Sequence, residues 1–418
     1  MAVGGKWHGA KLFMMSVDEA RAFLLERTQP ITETERIDTI QGLGRVLAQD
    51  ILSPIDVPGC DNSAMDGYAV RSKDIVIEVE TRLTIHRRIA AGESAGESPL
   101  QSGQAARILT GAPIPSGADS VVIQEHCRLE GASVCIRGPI SRGMNIRPQG
   151  NDIRAGAVVL PARTRLTPQA LGLAAAMGLS SLPVFRRLRV AILSSGNELV
   201  QPGTPLQAGQ CYDANRHTLF GLLANLGCEI LDLGTIPDDL AATGTALREA
   251  ARQADVVITS GGVSVGDEDY IKRAVENVGN LDLWRIAVKP GKPLAHGRIF
   301  DADFIGLPGN PVSVLITFCL FVRPMLIRRQ GAVPSFPPPR SVSAGFIWAR
   351  PGNRREYARA RLVPEGDPGS PKAVLFERQG SDVLSSVVWA DGLVEIPPNT
   401  VIALGDKVPY LSFAELLG

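Results

Sequence analysis

The sequence predicts a multidomain α/β protein. Its parts are a mainly parallel α/β sandwich domain, a helical and extended N-terminal domain, an inserted small β domain and a C-terminal small β-barrel. The length of 418 residues corresponds to roughly three or four domains of about 100–200 residues each. Strand and helix patterns alternate from residue 188 to 328, which is typical of a parallel sheet covered by helices. Short β-rich runs separated by Gly and Pro precede and follow that region.

The composition excludes a disordered or fibrous protein, because 44% of the residues are hydrophobic and 21% are charged. The 43 Lys and Arg balance 43 Asp and Glu, so no overall field attracts nucleic acid or an acidic membrane. The six cysteines form no CxxC pair, which favours a reducing cytoplasm and argues against a zinc cluster. No apolar signal-peptide region occurs in residues 1–17.

The N-terminal domain is assigned to residues 11–60 and 150–185. Ser16 and Glu19 form a capping-box pattern that predicts a helix ending near Thr28. A second helix is predicted over 40–51. Thr167 and Pro168 predict the start of a further helix that ends at Gly178.

The inserted β domain is assigned to residues 61–149. Its predicted β runs are listed here: 75–79, 83–89, 120–123 and 133–136. Gly and Pro residues separate these runs, as expected for short strands joined by turns.

The α/β domain is assigned to residues 186–330. Its predicted strands and helices are 190–193, 215–226, 229–233, 239–253, 256–259, 269–278, 283–288, 304–307 and 312–328. The apolar run 312–322 is shorter than the ~20 residues that span a bilayer, so we expect a buried helix. The Pro-rich segment 333–339 predicts a stiff linker. The C-terminal domain, 340–418, has β runs at 342–347, 357–363, 374–377 and 401–404.

Three strand ends in the α/β domain lead into loops of small or polar residues. The residues are Ser194, Ser195 and Gly196; Ser260, Gly261, Gly262, Val263, Ser264 and Gly266; and Pro308, Gly309, Asn310 and Pro311. Such loops bring backbone N–H groups to a phosphate, although glycines also serve simply as tight turns. Neither a GxGxxG nor a Walker A pattern occurs, which argues against a dehydrogenase or a P-loop ATPase.

Charged residues lie beside these loops. Glu198, Asp238 and Asp269 follow strand ends or the glycine loop, and carboxylates next to bound phosphates are the usual ligands of Mg²⁺. For Asp269 the alternative role is that of a charge at a helix start, whereas Asp239 fits a helix N-cap. Lys289 and Lys292, held by prolines, suit a phosphorylated substrate.

Other polar motifs carry no assigned chemistry when they are considered alone. The segments around Asp61, Thr110 and Asp152 are ordinary turn sequences, and Asp213 and Asn215 are most simply caps. The histidines show no metal-ligand spacing.

Taken together and in order, six motifs resemble the molybdopterin molybdotransferase family, MoeA and the E domain of gephyrin in animals. They are Pro58-Gly-Cys-Asp-Asn-Ser-Ala-Met-Asp-Gly-Tyr-Ala-Val70, Ile108-Leu-Thr-Gly-Ala-Pro113, Ser194-Ser-Gly-Asn-Glu198, Ser260-Gly-Gly-Val-Ser-Val-Gly266, Lys289-Pro-Gly-Lys-Pro293 and Leu307-Pro-Gly-Asn-Pro311. The resemblance covers nearly the whole chain. It implies four domains, with a MogA-like α/β domain, in an elongated homodimer whose active sites are shared between subunits. Ser195 and Asn197 stand where many relatives have Thr and Asp.

The resemblance also implies a reaction: adenylylated molybdopterin and molybdate are substrates, a divalent metal such as Mg²⁺ is required, and AMP leaves as molybdenum is inserted. Glu198, Asp238 and Asp269 would bind the metal and phosphates. The Ser260 to Gly266 loop would hold the nucleotide, and Lys289 and Lys292 would neutralise anionic substrate. Asp61, Thr110 and Asp152 would complete the site from the other subunit. Molybdopterin adenylyltransferase would deliver the substrate, and no nucleic-acid or membrane partner is expected.

Two other functions remain open at this level. Molybdopterin adenylyltransferase itself resembles residues 188–330 alone, and consumption of ATP would identify it; the additional domains argue against it. A scaffold function, like that of the gephyrin E domain, would appear as peptide binding without AMP release.

Overall fold

The computed structural model describes residues 14–262, 270–364 and 371–417. Helix α1 (Val17–Arg27) begins at the predicted capping box: Ser16 Oγ accepts from the Glu19 N–H at 3.2 Å, and the Ser16 N–H donates to the Glu19 carboxylate at 2.8 Å. Its buried side chains, Val17, Ala20 and Leu24, join the hydrophobic core of the α/β domain. The first helix is therefore packed on the α/β domain.

The next elements are short strands, β1 (Thr34–Asp38), β2 (Ile51–Leu52) and β3 (Asn62–Ser63). The helix predicted over 40–51 is wrong, since the structure has one 3₁₀ turn, Thr39–Gln41, in this part of the chain. Gly44 follows with φ +73°, a left-handed conformation that stops a helix. Val46 and Leu47 then form β-bridges to Arg165 and Val184, so tertiary pairing replaces the local helix.

The inserted region forms a six-stranded sheet in the order β7-β4-β6-β5-β9-β8. The strands are β4 (Gly67–Val70), β5 (Thr81–Ile89), β6 (Gln104–Ile108), β7 (Ser120–Ile123), β8 (Cys127–Glu130) and β9 (Ser133–Ile136). Three of the four predicted runs are confirmed as strands. The run 75–79 is not a strand, because Val76 and Ile77 are exposed and Glu78 has φ +69° in a turn.

The chain then returns to the N-terminal strands through β10 (Ile146–Arg147), β11 (Val158–Leu160), α2 (Pro168–Ala176) and β12 (Ser181–Phe185). Antiparallel pairs β3–β10, β2–β11 and β1–β12 each join a strand before the inserted sheet to one after it. Helix α2 starts as predicted, with Thr167 Oγ1 accepting from the Ala170 N–H at 3.3 Å. The inserted sheet therefore interrupts a unit built from two distant chain segments.

The α/β domain contains most of the parallel strands. Its elements are β13 (Arg189–Ser195), β14 (Leu199–Val200), β15 (Cys211–Tyr212), α3 (Ala214–Asn225), β16 (Glu229–Ile236), α4 (Leu240–Gln253), β17 (Val256–Ser260), α5 (Tyr270–Val278), β18 (Asn280–Arg285), β19 (Val288–Lys289), β20 (Pro293–Ile299), β21 (Ala302–Leu307), α6 (Pro311–Thr317), a π-helical turn (Phe318–Val322) and α7 (Arg323–Arg329). The main sheet has the order β16-β13-β17-β21-β20-β18. The first four strands are parallel and the last two pairings are antiparallel, so β13, β17 and β21 end at one edge.

The helical run from Pro311 to Arg329 is long and apolar enough, by length and composition, to cross a membrane. However, 89% of its apolar window is buried inside the protein, where Phe318, Leu320 and Phe321 belong to the core. The run is a core helix, as predicted.

The C-terminal strands close into a small barrel, which confirms the predicted fold. Its elements are β22 (Arg340–Ala344), β23 (Arg355–Val363), β24 (Lys372–Leu375), α8 (Ser385–Trp389), β25 (Gly392–Ile396), β26 (Lys407–Ser412) and α9 (Phe413–Leu417). The ring runs β23-β24-β22-β26-β25 and returns to β23. The predicted run 401–404 is wrong as a strand, since only Ile402 pairs there, through a bridge to Trp348. Strand β19 adds to β23 in parallel, which attaches the barrel to the α/β domain.

Candidate active site

A cavity of about 1000 Å³ lies at the carboxyl ends of β13, β17 and β21, where ligands of open α/β sheets usually bind. Of the residues predicted for the site, it is lined by Ser195, Gly196, Glu198, Asp238, Gly261, Gly262, Lys289, Lys292, Pro308, Gly309, Asn310 and Pro311. Ser194 and Ser260 are buried behind them at the strand ends. Val263, Ser264, Gly266 and Asp269 lie outside the described residues.

The three strand-end loops meet at glycines. A Cβ on Gly261 would lie 2.5 Å from the Ser195 carbonyl oxygen, so only glycine permits this approach. Gly261 also has φ +88°. A Cβ on Gly309 would lie 3.8 Å from the Gly261 Cα, which places the second and third loops in backbone contact. The loops are therefore joined by their main chains.

Four acidic residues line the cavity, Glu198, Asp213, Asp238 and Asp382, and two of them, Glu198 and Asp238, were predicted for the site. Asp238 accepts hydrogen bonds from Ser195 Oγ at 2.6 Å and from the Asn197 N–H at 3.1 Å, and Asn197 Oδ1 accepts from the Asp238 N–H at 3.3 Å. Ser195 and Asn197 thus fix the Asp238 carboxylate. Glu198 folds back over Gly196, where a Cβ would lie 2.6 Å from the carboxylate. By contrast, Asp239 caps α4 through the Ala242 N–H, as predicted.

The basic loop after β19 also lines this cavity. Lys289 Nζ pairs with the buried carboxylate of Glu356 on the barrel strand β23 at 3.0 Å. A Cβ on Gly291 would lie 2.4 Å from the Thr317 methyl group, so the loop is pressed against the core helix. Lys292 is exposed at the cavity. The two lysines therefore border a cavity that acidic residues also line.

The barrel supplies a further wall that local sequence patterns did not reveal. This wall comprises Arg354, Gln379, Gly380, Ser381 and Asp382. Ser381 Oγ accepts from Asn310 Nδ2 at 2.9 Å, and the Ser381 carbonyl accepts from the Val312 N–H at 3.1 Å. These bonds fasten the barrel loop to the Pro308 to Pro311 loop.

Arg359 holds the barrel loop from behind, in a side chain that is only 1% exposed. Its guanidinium donates to Ser386 Oγ at 2.9 Å and to the Gly380 carbonyl at 2.8 Å. Burial lowers the pKa of Arg359 to about 10, while the charge of Asp382 opposes that shift. In the sequence, Arg359 is a charged residue inside the β-rich run 357–363. That position alone does not distinguish a buried cation from an exposed one.

The three residues predicted to act from the N-terminal part are exposed and, in the described chain, do not line the cavity. Asp61 accepts from the Gln149 N–H at 2.8 Å. The N–H and hydroxyl of Thr110 both donate to one oxygen of Asp66, at 2.7 and 2.9 Å, and these bonds hold the pKa of Asp66 below its usual value. Asp152 donates its N–H to the Val57 carbonyl.

These three residues nevertheless belong to one part of the surface. Strands β3 and β10 pair antiparallel, which brings the segment after Asp61 to the segment before Asp152. The Gly111 N–H, next to Thr110, donates to the Ser63 carbonyl at 2.8 Å. Loops from residues 56–66, 110–114 and 145–153 therefore form a single polar surface.

The acidic residues fit Mg²⁺ in one specific way. Among residues 14–262, 270–364 and 371–417, no group of three His, Cys, Asp or Glu side chains forms a metal centre. Glu198 and Asp238 both line the cavity, and magnesium characteristically uses one or two carboxylates together with substrate phosphates. The pair fits a metal site that a phosphorylated substrate completes.

The fold and the cavity place the chain in the class of proteins built around a molybdopterin-binding α/β domain. Residues 191–328 match the family described as a probable molybdopterin binding domain. Residues 15–178 match the MoeA N-terminal region (domain I and II), and residues 341–413 match the MoeA C-terminal region (domain IV). The chain belongs to the MoeA family.

Named relatives agree over nearly the whole length. The molybdopterin molybdenumtransferase of Haemophilus influenzae is 40% identical over 97% of this chain and 100% of its own. Molybdopterin molybdenumtransferase 2 of Mycobacterium tuberculosis is 36% identical over 94% of this chain and 98% of its own. The crystal structure of the molybdopterin biosynthesis MoeA protein from Pyrococcus horikoshii superimposes with a TM-score of 0.82 at 28% identity, covering 96% of this chain and 100% of that one.

Proposed function

We propose that this chain is a molybdopterin molybdenumtransferase of molybdenum cofactor biosynthesis, which uses adenylylated molybdopterin and molybdate as substrates and releases AMP. One observation carries the proposal: glycine loops, the carboxylates Glu198 and Asp238 and two lysines are among the groups that border one cavity at the sheet edge of a MoeA-family chain. The balance of charge suits a phosphoanhydride substrate, because its oxygens need both cations and a metal site.

Cleavage of the substrate breaks the P–O–P bond between the adenylyl and pterin phosphates as water adds to phosphorus. The strand-end loops, from Ser195, Gly261 and Gly309, would hold the phosphates close to the backbone, since glycine allows that approach. Lys289 and Lys292 would stabilise the negative charge that develops on the leaving AMP. Most of the rate enhancement would thus come from positioning and electrostatics.

We propose that Glu198 and Asp238, together with Asp269, hold Mg²⁺ when substrate is bound. The ion supplies positive charge to the phosphate oxygens. The role of the protein is to fix Asp238, whose two oxygens are held by Ser195 and Asn197. These two residues support the site although they depart from the pattern of many relatives.

We further propose that the active form is a homodimer and that a second copy supplies the surface formed by the Asp61, Thr110 and Asp152 loops. Two observations support this. The surface is exposed and does not reach the cavity of its own chain. Two large apolar side chains in or next to these loops, Ile55 and Met65, are also exposed. A second copy would cover them while bringing the polar loops to the cavity.

Molybdopterin adenylyltransferase is the class of enzyme that would deliver the substrate, because its product is the adenylylated pterin. A cytoplasmic location is proposed from the six cysteines, all of which are free thiols.

The test is AMP release from adenylylated molybdopterin by the purified protein with Mg²⁺, measured with and without molybdate, followed by assay of molybdenum on the pterin. Molybdate-dependent release with metal insertion supports the transferase. ATP consumption with formation of the adenylylated pterin would indicate an adenylyltransferase instead. Tight binding without AMP release would indicate a scaffold.

A further inference from the structure

The side chain of Asn215 lies between two of the cavity loops. Its Nδ2 group donates to Ser260 Oγ at 2.8 Å and to the Gly309 carbonyl oxygen at 2.6 Å. Asn215 is 9% exposed and lines the cavity. Both N–H groups of one amide are therefore used to join the end of β17 to the loop after β21.

The position of this amide is set by the helix that carries it. Asp213, not Asn215, is the N-cap of α3: its carboxylate accepts from the Arg216 N–H at 3.0 Å, and its own side chain is 1% exposed. Asn215 is thus the second residue of the helix and does not cap it. Its side chain is free to point at the neighbouring loops.

The two loops that Asn215 joins also have main-chain contacts, because β17 and β21 pair in parallel up to Ser260 and Leu307. The Gly261 N–H donates to the Leu307 carbonyl at 3.2 Å, and Gly309 packs on the Gly261 backbone. Neither glycine has a side chain to maintain the spacing. Among the described residues, the Asn215 amide adds a side-chain link between the two loops to these main-chain contacts.

We propose that Asn215 is a positioning residue for the transfer reaction, acting through residues 260–262 and 308–311. The inference rests on the proposed function, since these are the loops that would hold the substrate phosphates. Small displacements of such groups have large effects on rate, of the order of 100-fold for about 1 Å.

The experiment compares three variants with the wild-type chain. Asn215→Ala removes both donors. Asn215→Asp keeps the shape and loses the donors when ionised, but protonation of the introduced buried carboxyl restores one O–H donor. Leu222→Ala is the matched control, because Leu222 is buried on the same helix and contacts the core rather than the loops.

We expect Asn215→Ala to lower kcat/KM for adenylylated molybdopterin about 100-fold. Leu222→Ala should lower the melting temperature but leave kcat/KM within about twofold when the folded fractions are matched. The activity of Asn215→Asp relative to Asn215→Ala should rise as the pH is lowered, because the restored donor rejoins the loops.

Three results would overturn the inference: wild-type kcat/KM in Asn215→Ala, an equal loss in Leu222→Ala, or an Asn215→Asp to Asn215→Ala ratio that does not change with pH. If the wild-type chain releases no AMP, the proposed function fails. Amide hydrogen exchange of residues 260–262 and 307–311 then decides the inference: faster exchange in Asn215→Ala supports the link, and unchanged exchange overturns it.

Discussion

The two walls of the cavity are built by different means. In the α/β wall, main chains touch at Gly261 and Gly309, and hydrogen bonds to Asp238 and from Asn215 connect the loops. In the barrel wall, the loop at Gly380 is held by the buried cation Arg359. The first wall depends on residues close to the strand ends, and the second depends on one side chain from the barrel core.

The two walls differ in whether their support requires the burial of a charge. A glycine contact needs no charge, whereas the Arg359 guanidinium gives up water for neutral oxygen acceptors, and burial lowers its pKa to about 10. Burying a charge is unfavourable unless hydrogen bonds compensate for the lost hydration. The barrel wall should therefore lose more stability than the α/β wall when its supporting side chain is replaced, while the α/β wall carries the chemistry.

The largest expected loss of activity follows the substitution of Asp238 in the α/β wall. Asp238→Asn removes a charge from the phosphate and metal region while keeping the shape, so kcat/KM for AMP release should fall about 100- to 1000-fold. The control is Asp239→Asn, because asparagine caps a helix as well as aspartate does. Steady-state assays of both variants decide the point: a fall of less than tenfold in Asp238→Asn would remove this residue from the mechanism.

In the proposed homodimer, the second subunit brings its Asp61, Thr110 and Asp152 loops to the cavity. Asp61→Ala and Asp238→Ala chains should each be nearly inactive alone. If the site is shared, a heterodimer contains one intact site, so about half of the wild-type activity per dimer should return. Differently tagged chains, co-expressed and purified through both tags, provide the measurement. No recovery in verified heterodimers would place both residues in the same subunit's site.

A smaller loss of activity is expected when Arg359, which supports the barrel wall, is replaced. Arg359→Met leaves Ser386 and the Gly380 carbonyl without their donor, and each orphaned acceptor costs about 1–3 kcal/mol. We expect a lower melting temperature and roughly a tenfold rise in KM, equivalent to one contact of about 1.4 kcal/mol. Arg361→Met, on the same strand but part-exposed, is the control. Equal KM values in the two variants would show that Arg359 serves stability alone.

The last expected effect concerns stability rather than activity, at His296 in strand β20 of the main sheet. Its ring is 2% exposed, neither nitrogen has a hydrogen-bond partner in the described structure, and burial lowers its pKa to about 4. The folded state keeps the ring neutral, whereas the unfolded chain takes up a proton below about pH 6.5. Stability from this group is therefore complete above that pH and is lost as the pH falls toward 4, by about 2 kcal/mol at pH 5.

Urea unfolding at pH 7 and pH 5 measures this loss. His296→Leu should abolish most of the difference between the two pH values, while His86→Leu, at an exposed position, should retain it. An unchanged difference in His296→Leu would show that other groups cause the acid sensitivity.

Much of the fold follows from local patterns. The capping box at Ser16, the Thr167 and Pro168 start and the strand runs at 120–123 and 133–136 are confirmed. The helix at 40–51 fails because Gly44 turns the chain and Leu47 pairs with a strand far away in sequence. The sequence pattern does not predict strands β4 and β6, because these largely buried segments show no alternation of apolar and polar residues.

The sequence by itself determined the main parts of the candidate site: the glycine loops, Glu198, Asp238 and the two lysines all follow strands, and parallel strands end at one edge of a sheet. Only the tertiary structure decided that Asn215 joins two loops, that Arg359 supports the barrel wall, and that Asp61, Thr110 and Asp152 share a separate surface. The physical reason is the separation in sequence of the residues that make each contact. Turns, caps and strand ends are set by neighbouring residues, whereas these contacts join segments tens of residues apart that meet only when the domains pack.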